Sequence, residues 1–242
     1  MVFELIVFAA AVGAGAIASV AGFGIGSVLT PLLAVRAPTQ LAVAAVSIPH
    51  FFATALRFWR LRAHVDRRVL ISFGIPSALG GLSGALMHSV AGSRVLSIVF
   101  GAILVFVGLS ELTGLSRRMT FGRTTAWIAG ALSGFLGGLV GNQGGIRSGA
   151  LLGFDISKTA FVATATAVGL VVDIARMPAY FFTQGEGITQ IWPLIAVATA
   201  GALLGTLIGE RLLRGVAERL FRRIVAVLLL ILGGYMVLHG AA

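Results

Sequence analysis

Long apolar runs alternate with short, arginine-rich gaps along this chain. The runs at 39–59, 69–87, 95–112, 158–182, 190–208 and 224–238 approach or match the roughly 20 residues that cross a bilayer as helix. Two stretches break the pattern. The run at 2–20 ends in Ala21-Gly22-Phe23-Gly24-Ile25-Gly26-Ser27 and is followed by a short run, 28–35, holding Pro31. The run at 124–140 enters the glycine-rich stretch 138–149, and a short apolar run, 150–154, leaves it. Each stretch predicts a helix broken inside the membrane. Arg36-Ala37-Pro38 then reads as a helix stop followed by a new start.

Backbone polar groups left unpaired in hydrocarbon cost several kcal/mol, so a break at membrane depth must be buried in protein or line a wet cavity. Such breaks aim backbone N–H groups and a helix N-terminus at a bound anion. Glycines alone would also suit a helix-packing seam. Asn142, Gln143 and Arg147 favour a site, with Gly24, Gly26 and Ser27 in the first break and Gly144 and Gly145 in the second as backbone donors.

The two breaks belong to an internal repeat. An offset of 119 carries Gly22 to Gly141, Gly26 to Gly145 and Arg57 to Arg176; an offset of 121 carries Gly80 to Gly201; one of 125 carries Arg94 to Arg219 and Gly108 to Gly233. This divides the chain into a first membrane repeat, 1–113, a basic cytoplasmic linker, 114–123, and a second membrane repeat, 124–242. Basic clusters at 60–68, 117–123 and 211–223 mark the cytoplasmic side. The loops expected at 88–94 and 183–189 then lie outside. The 39–59 run therefore crosses outside to inside and the 158–182 run the reverse. The expected fold is an all-α polytopic membrane protein of two inverted-topology repeats. Each repeat is a broken or re-entrant helix pair plus three transmembrane helices, a construction typical of secondary transporters.

Inside the spans, polar residues fall on stripes. Ser47, His50, Thr54 and Arg57 are spaced as one helix face, and Thr166, Gly169, Asp173 and Arg176 repeat that spacing. Asp173 and Arg176, one turn apart, can neutralise each other. Arg57 reads either as a pocket residue or as a chain snorkelling to the interface. His50 reads either as a core histidine on a neighbouring carbonyl or as a proton carrier, with Asp173 the other proton candidate. The substrate-site candidates in these spans are His50, Arg57, Thr166, Asp173 and Arg176. Gly80, Gly84, Gly201 and Gly205 suit close helix packing. Trp59, Trp127, Trp192, Tyr180 and Tyr235 lie near expected span ends, as an aromatic belt requires.

Composition narrows the function. The 242 residues are 58% hydrophobic and 11% charged, with mean hydropathy +1.03, leaving little for a soluble domain. The net charge of +10 comes from loop arginines, so no nucleic-acid partner is expected. The absence of cysteine excludes thiol catalysis and Cys-ligated metals. No nucleophile, zinc or phosphate-loop motif is present, so neither an enzyme nor a cofactor is expected. Glu4 replaces the basic start of a signal peptide, and the first run is read as a retained helix.

Gly22-Phe23-Gly24-Ile25-Gly26-Ser27-Val28-Leu29-Thr30-Pro31-Leu32-Leu33 resembles the glycine-rich first motif of the sulfite exporter TauE/SafE family. Gly134-Phe135-Leu136-Gly137-Gly138 through Gly141-Asn142-Gln143-Gly144-Gly145-Ile146-Arg147 resembles its second copy. Ser27 interrupts the glycine run of the first copy, and Asn142-Gln143 replaces Gly-Ile in the second, both where substrate would bind. The resemblance covers essentially the whole chain. It implies a multi-pass permease of the bacterial inner membrane that exports sulfite, sulfonates or related small anions. The implied partners are such an anion, the lipid bilayer and an ion or proton gradient; a homodimer is left open. The alternatives are a permease for carboxylates or other small metabolites and a non-transporting membrane assembly factor.

Overall fold

A computed structural model describes residues 2–22, 24–114, 123–141, 147, 151, 154, 156–213, 223, 226–227, 230–231 and 233–238. Among them the chain is helical, with no strand. The helices are α1 (Val2–Ala21), α2 (Ile25–Ala34), α3 (Thr39–Leu61), α4 (Arg67–Val90), α5 (Ser93–Thr113), α6 (Arg123–Val140), α7 (Lys158–Gln190) and α8 (Trp192–Leu213). Arg147 and Leu151 are also helical, as are 233–238. Among the described residues six helices are long and apolar enough to cross a membrane, so this is a multi-pass membrane protein. Asn142, Gln143, Gly144 and Gly145 lie outside the described residues, as do most of the 114–123 linker and most of the 211–223 cluster.

The first break forms because Gly22 (φ 79°) and Gly24 (φ 137°) take backbone conformations that other residues resist. The second repeats it at Gly141 (φ 76°). Each αL glycine also closes the helix before it, Gly22 N–H donating to Ala18 O (2.9 Å) and Gly141 N–H to Gly137 O (3.0 Å). The two breaks abut: Gly26 stands against the Gly141 carbonyl with no room for a side chain.

α3 and α7 form the centre. In their most apolar windows 72% and 56% of residues are buried, against 33% in α1. The outer helices turn Leu79, Leu86, Ile128, Leu132 and Leu207 outward, as lipid-facing surface requires. Around the centre run two glycine seams, α1 with α8 and α4 with α6. In one, Gly15 faces Ala202 O, Gly205 faces Val12 O and Gly209 faces Ala16; in the other, Gly134 faces Ser77 O, Gly80 faces Ala131 O and Gly84 faces Phe135 O. Ser19 Oγ donates to Thr206 O (3.1 Å) where Gly138 faces Gly81 O. Offsets of 119 on α1 and 125 on α4 turn every contact of one seam into a contact of the other.

These seams pair Gly80 with Gly205 and Gly84 with Gly209, so the offset is 125 already at α4, not the expected 121. The extra length lies in α7. Residues 183–189, expected as a loop, continue α7, which runs 33 residues, or about 50 Å. Ser157 caps its start by accepting from Ala160 N–H (3.2 Å). Near its end Thr183 donates to Ala179 O (2.9 Å) and Thr189 to Glu186 O (2.6 Å), local bonds that follow the helix rather than compete with it. Helix α4 likewise persists to Val90, leaving Ala91 and Gly92 as the connection to α5. Tyr180 is not a belt residue: it is buried, whereas Trp59, Trp127, Trp192 and Tyr235 are exposed.

Close glycine packing makes a sharp expectation. Gly134→Val or Gly205→Val should destabilise by at least about 1–3 kcal/mol through overpacking, seen as a lower melting temperature in detergent. Gly13→Ala and Gly185→Ala, with nothing within 4 Å of the added Cβ, should melt no lower than the parent. Equal melting of all four would remove the seams as a stabilising feature.

Candidate functional site

The polar stripes of α3 and α7 face each other. His50 Nδ1 lies 2.6 Å from Asp173 Oδ2, and Arg57 Nε donates to Thr166 Oγ1 (2.9 Å). Pairing 50 with 173 and 57 with 166 means the two helices run in opposite directions. Thr166 passes its own proton to Val162 O (2.7 Å). Arg57 is therefore a buried pocket residue, 4% exposed, and does not snorkel. His50 meets a carboxylate rather than the carbonyl expected of a core histidine.

Asp173 is held on both oxygens. Oδ1 accepts from Arg176 Nε (3.0 Å) and Nη2 (2.8 Å), while Oδ2 faces His50. The remaining arm of Arg176, Nη1, donates to Gly137 O. Arg176 is thereby committed to its own helix and to the end of α6. Two neighbours pair the next carbonyls of that helix end. Tyr180 O–H donates to Gly138 O, and His88 Nδ1 lies 2.8 Å from Leu139 O. The last carbonyls of a helix have no partners within it, and cationic and hydroxyl groups at that end satisfy them and complement the helix dipole. His88 Nε2 lies 3.0 Å from a second carbonyl, Gln40 O.

Arg147 and Arg57 are different. Arg147 is 1% exposed and arrives from the second break. Its Nη2 donates to Gly22 O (3.0 Å) in the first break, so one side chain spans both. Its Nη1 lies over Gly169, 2.8 Å from where a Cβ would stand, and Thr54 Cγ2 is 3.7 Å from that same point. Among the described residues Arg147 Nε and Nη1, Arg57 Nη1 and Thr54 Oγ1 make no hydrogen bond. Arg57 at Thr166, and Arg147 and Thr54 at Gly169, thus meet neighbouring turns of one face of α7. Thr30, buried with an unpaired hydroxyl, lies beside Gly141. Gly26, Ser27 and Gly24 line the buried start of α2 next to it.

Of the predicted site residues, His50, Arg57, Arg147, Thr166, Asp173 and Arg176 are thus brought into one buried cluster. Tyr180 and His88 join it without having been expected there. Tyr180 carries a signal, since it continues the 166, 169, 173, 176 spacing by one further turn. His88 carries none beyond being a histidine on a glycine-rich face. No group of three or more His, Cys, Asp or Glu able to hold a metal occurs among the described residues.

A multi-pass helical protein whose described centre buries three arginines around one aspartate has the build of a membrane transport protein. The chain belongs to the sulfite exporter TauE/SafE family, whose model matches residues 7–236. The family consists of membrane transporters of sulfur-containing anions rather than enzymes. No curated protein and no solved structure matches the chain.

The two kinds of contact at the end of α6 predict different losses. Tyr180→Phe leaves one buried carbonyl unpaired and should cost about 1–3 kcal/mol of stability. Asp173→Leu leaves a buried arginine without its counter-charge and should cost about 3–5 kcal/mol. Unfolding of the purified variants in denaturant measures both. An Asp173→Leu protein as stable as the parent would show that Arg176 is held by something other than this pair.

Proposed function

We propose that the chain exports a small sulfur oxyanion or sulfonate across the bacterial inner membrane, with Arg57 and Arg147 as the anion-binding cations. The observation that carries this is the set of unpaired guanidinium N–H groups of two buried arginines, one held at Thr166 and one at Gly169. A buried cation without a counter-charge is costly in a low-dielectric interior. An anion that exchanges its hydration for these fixed donors removes that cost. Thr54 and the backbone of both breaks supply further donors, and Asn142 and Gln143 join them on this reading. A carboxylate would meet the same donors; the family assignment is what favours sulfur anions.

The reading extends to topology. In both seams the paired residue numbers rise together, so α1 runs with α8 and α4 with α6. Gly101 faces Gly233 while Gly108 faces Ala226, so α5 opposes the last helix, as α3 opposes α7. Two halves, 1–113 and 124–242, inserted in inverted orientation with each break entering from its own side, would give this set of directions. Alternating access would then follow from one half rocking against the other, with Arg147 bridging both breaks. An inside-negative potential favours outward movement of an anion by about 2.3 kcal/mol per charge per 100 mV, so efflux needs no ATPase. The short His50–Asp173 contact supports a second driving force, proton coupling, because a proton taken up at His50 changes the charge beside the arginines.

Purified protein in liposomes loaded with sulfite, sulfoacetate, taurine or thiosulfate under an imposed potential tests transport. Arg147→Gln should lower substrate affinity about ten- to a hundredfold, the value of one charge-assisted contact. Movement of lactate but of none of the sulfur anions would overturn the substrate class, and movement of no anion would overturn transport.

For topology, the chain has no cysteine, so Arg118→Cys and Glu186→Cys can be labelled singly in intact cells with a membrane-impermeant thiol reagent. Labelling is expected at 186 alone. Labelling at 118 with 186 protected would reverse the orientation.

A further inference from the structure

The charges in the buried cluster do not balance. Arg57, Arg147 and Arg176 are cationic at any physiological pH, and among the described residues the one acid buried with them is Asp173. Asp173 is committed elsewhere: Arg176 takes two bonds on Oδ1, and His50 lies against Oδ2. A histidine sharing one nitrogen with that carboxylate adds no negative charge. Three other acids with described side chains stand elsewhere. Asp66 accepts from Val69 N–H at the start of α4 (3.0 Å), Glu4 opens α1, and Glu186 is exposed near the end of α7. Arg57 and Arg147 therefore stand as two buried positive charges held against neighbouring turns of α7. Arg57 is tied to Thr166, and Arg147 lies over Gly169 one turn along the same face.

We infer that the substrate is a dianion, recognised because its two charges match the unpaired Arg57 and Arg147; this rests on the anion-transport reading above. A monoanion would leave one buried cation uncompensated, at a cost that low dielectric enlarges. Two separate monoanions on neighbouring turns would repel each other. A dianion whose charged groups contact both guanidiniums satisfies both at once, and the Thr54 hydroxyl, also unpaired, completes the donor set. The glycine at 169 contributes by leaving room: a Cβ there would stand 2.8 Å from Arg147 Nη1 and push it out of register with Arg57.

Sulfoacetate and 2-hydroxyethanesulfonate test this directly. They share the sulfonate and the two-carbon length and differ by a carboxylate in place of a hydroxymethyl group. Affinities are measured by calorimetry on the purified protein at pH 8 and constant ionic strength, with thiosulfate and methanesulfonate as a second dianion–monoanion pair. The dianion of each pair should bind about ten- to a hundredfold more tightly. Arg57→Gln should bring that ratio towards one, while the charge-keeping Arg57→Lys should retain most of it. If Arg57→Gln does not fold, Arg147→Gln, on the other element, serves in its place. Equal affinity for both members of each pair in the parent protein would overturn the dianion inference and leave anion binding standing. An unchanged ratio in Arg57→Gln would likewise overturn it. If no anion in the panel, sulfite and lactate included, binds at all, the transport reading falls with it.

Discussion

A helix that stops inside a membrane leaves its final carbonyls with neither helix nor water to pair them. The centre of this protein is organised around that constraint. Helix α6 stops at Gly141; Tyr180 and His88 pair the carbonyls of Gly138 and Leu139, and Arg176 adds a second bond to the Gly137 carbonyl that Gly141 N–H already meets. Arg176 can remain buried there only because Asp173 neutralises it, and Asp173 is held on its other oxygen by His50. That links three helices, α3, α6 and α7, through one carboxylate. The break can therefore persist as a fixed feature, with its neighbouring backbone available for other partners.

The same arrangement separates structural from binding charge. Among the described residues three arginines are buried in the centre, and sequence position alone does not rank them. Arg176 has every nitrogen engaged. Arg57 and Arg147 each use part of the guanidinium to fix the side chain and leave part unpaired. A group anchored by one arm and free at another is pre-organised for a ligand, with little ordering left to do on binding. Arg147 is also anchored on the first break, at Gly22 O.

Glycine serves two ends here. At Gly22 and Gly141 it supplies the left-handed turn that ends a helix. In the α1–α8 and α4–α6 seams it lets backbones touch, since hydrocarbon supplies no hydrophobic drive for helix association and close dispersion contact must do so. Because the two seams map onto each other at fixed offsets, the duplicated halves present as one packing solution used twice.

The spans, the two breaks and the polar stripes are legible in the sequence, because each depends on local hydropathy and on a helical period of 3.6. So are the Asp173–Arg176 pair, one turn apart, and the whole-chain family resemblance. What the sequence does not supply is which stripe residue meets which across the interface. That depends on α3 and α7 crossing antiparallel, a property of the packed whole. Tyr180 reads as an interfacial aromatic because position near a span end is all a sequence reveals; only packing puts its hydroxyl on Gly138. The offset between the later helices is ambiguous in sequence because glycines four apart match at either 121 or 125, and backbone contact alone chooses between them. Residues 183–189 read as a loop from their glycines and polar side chains, yet tertiary support from α3, with Leu41 against Gly187, keeps them helical. Hydropathy determined that this chain lies in a membrane and where it breaks. The antiparallel crossing of α3 and α7 decided which buried charges cancel and which keep unpaired donors.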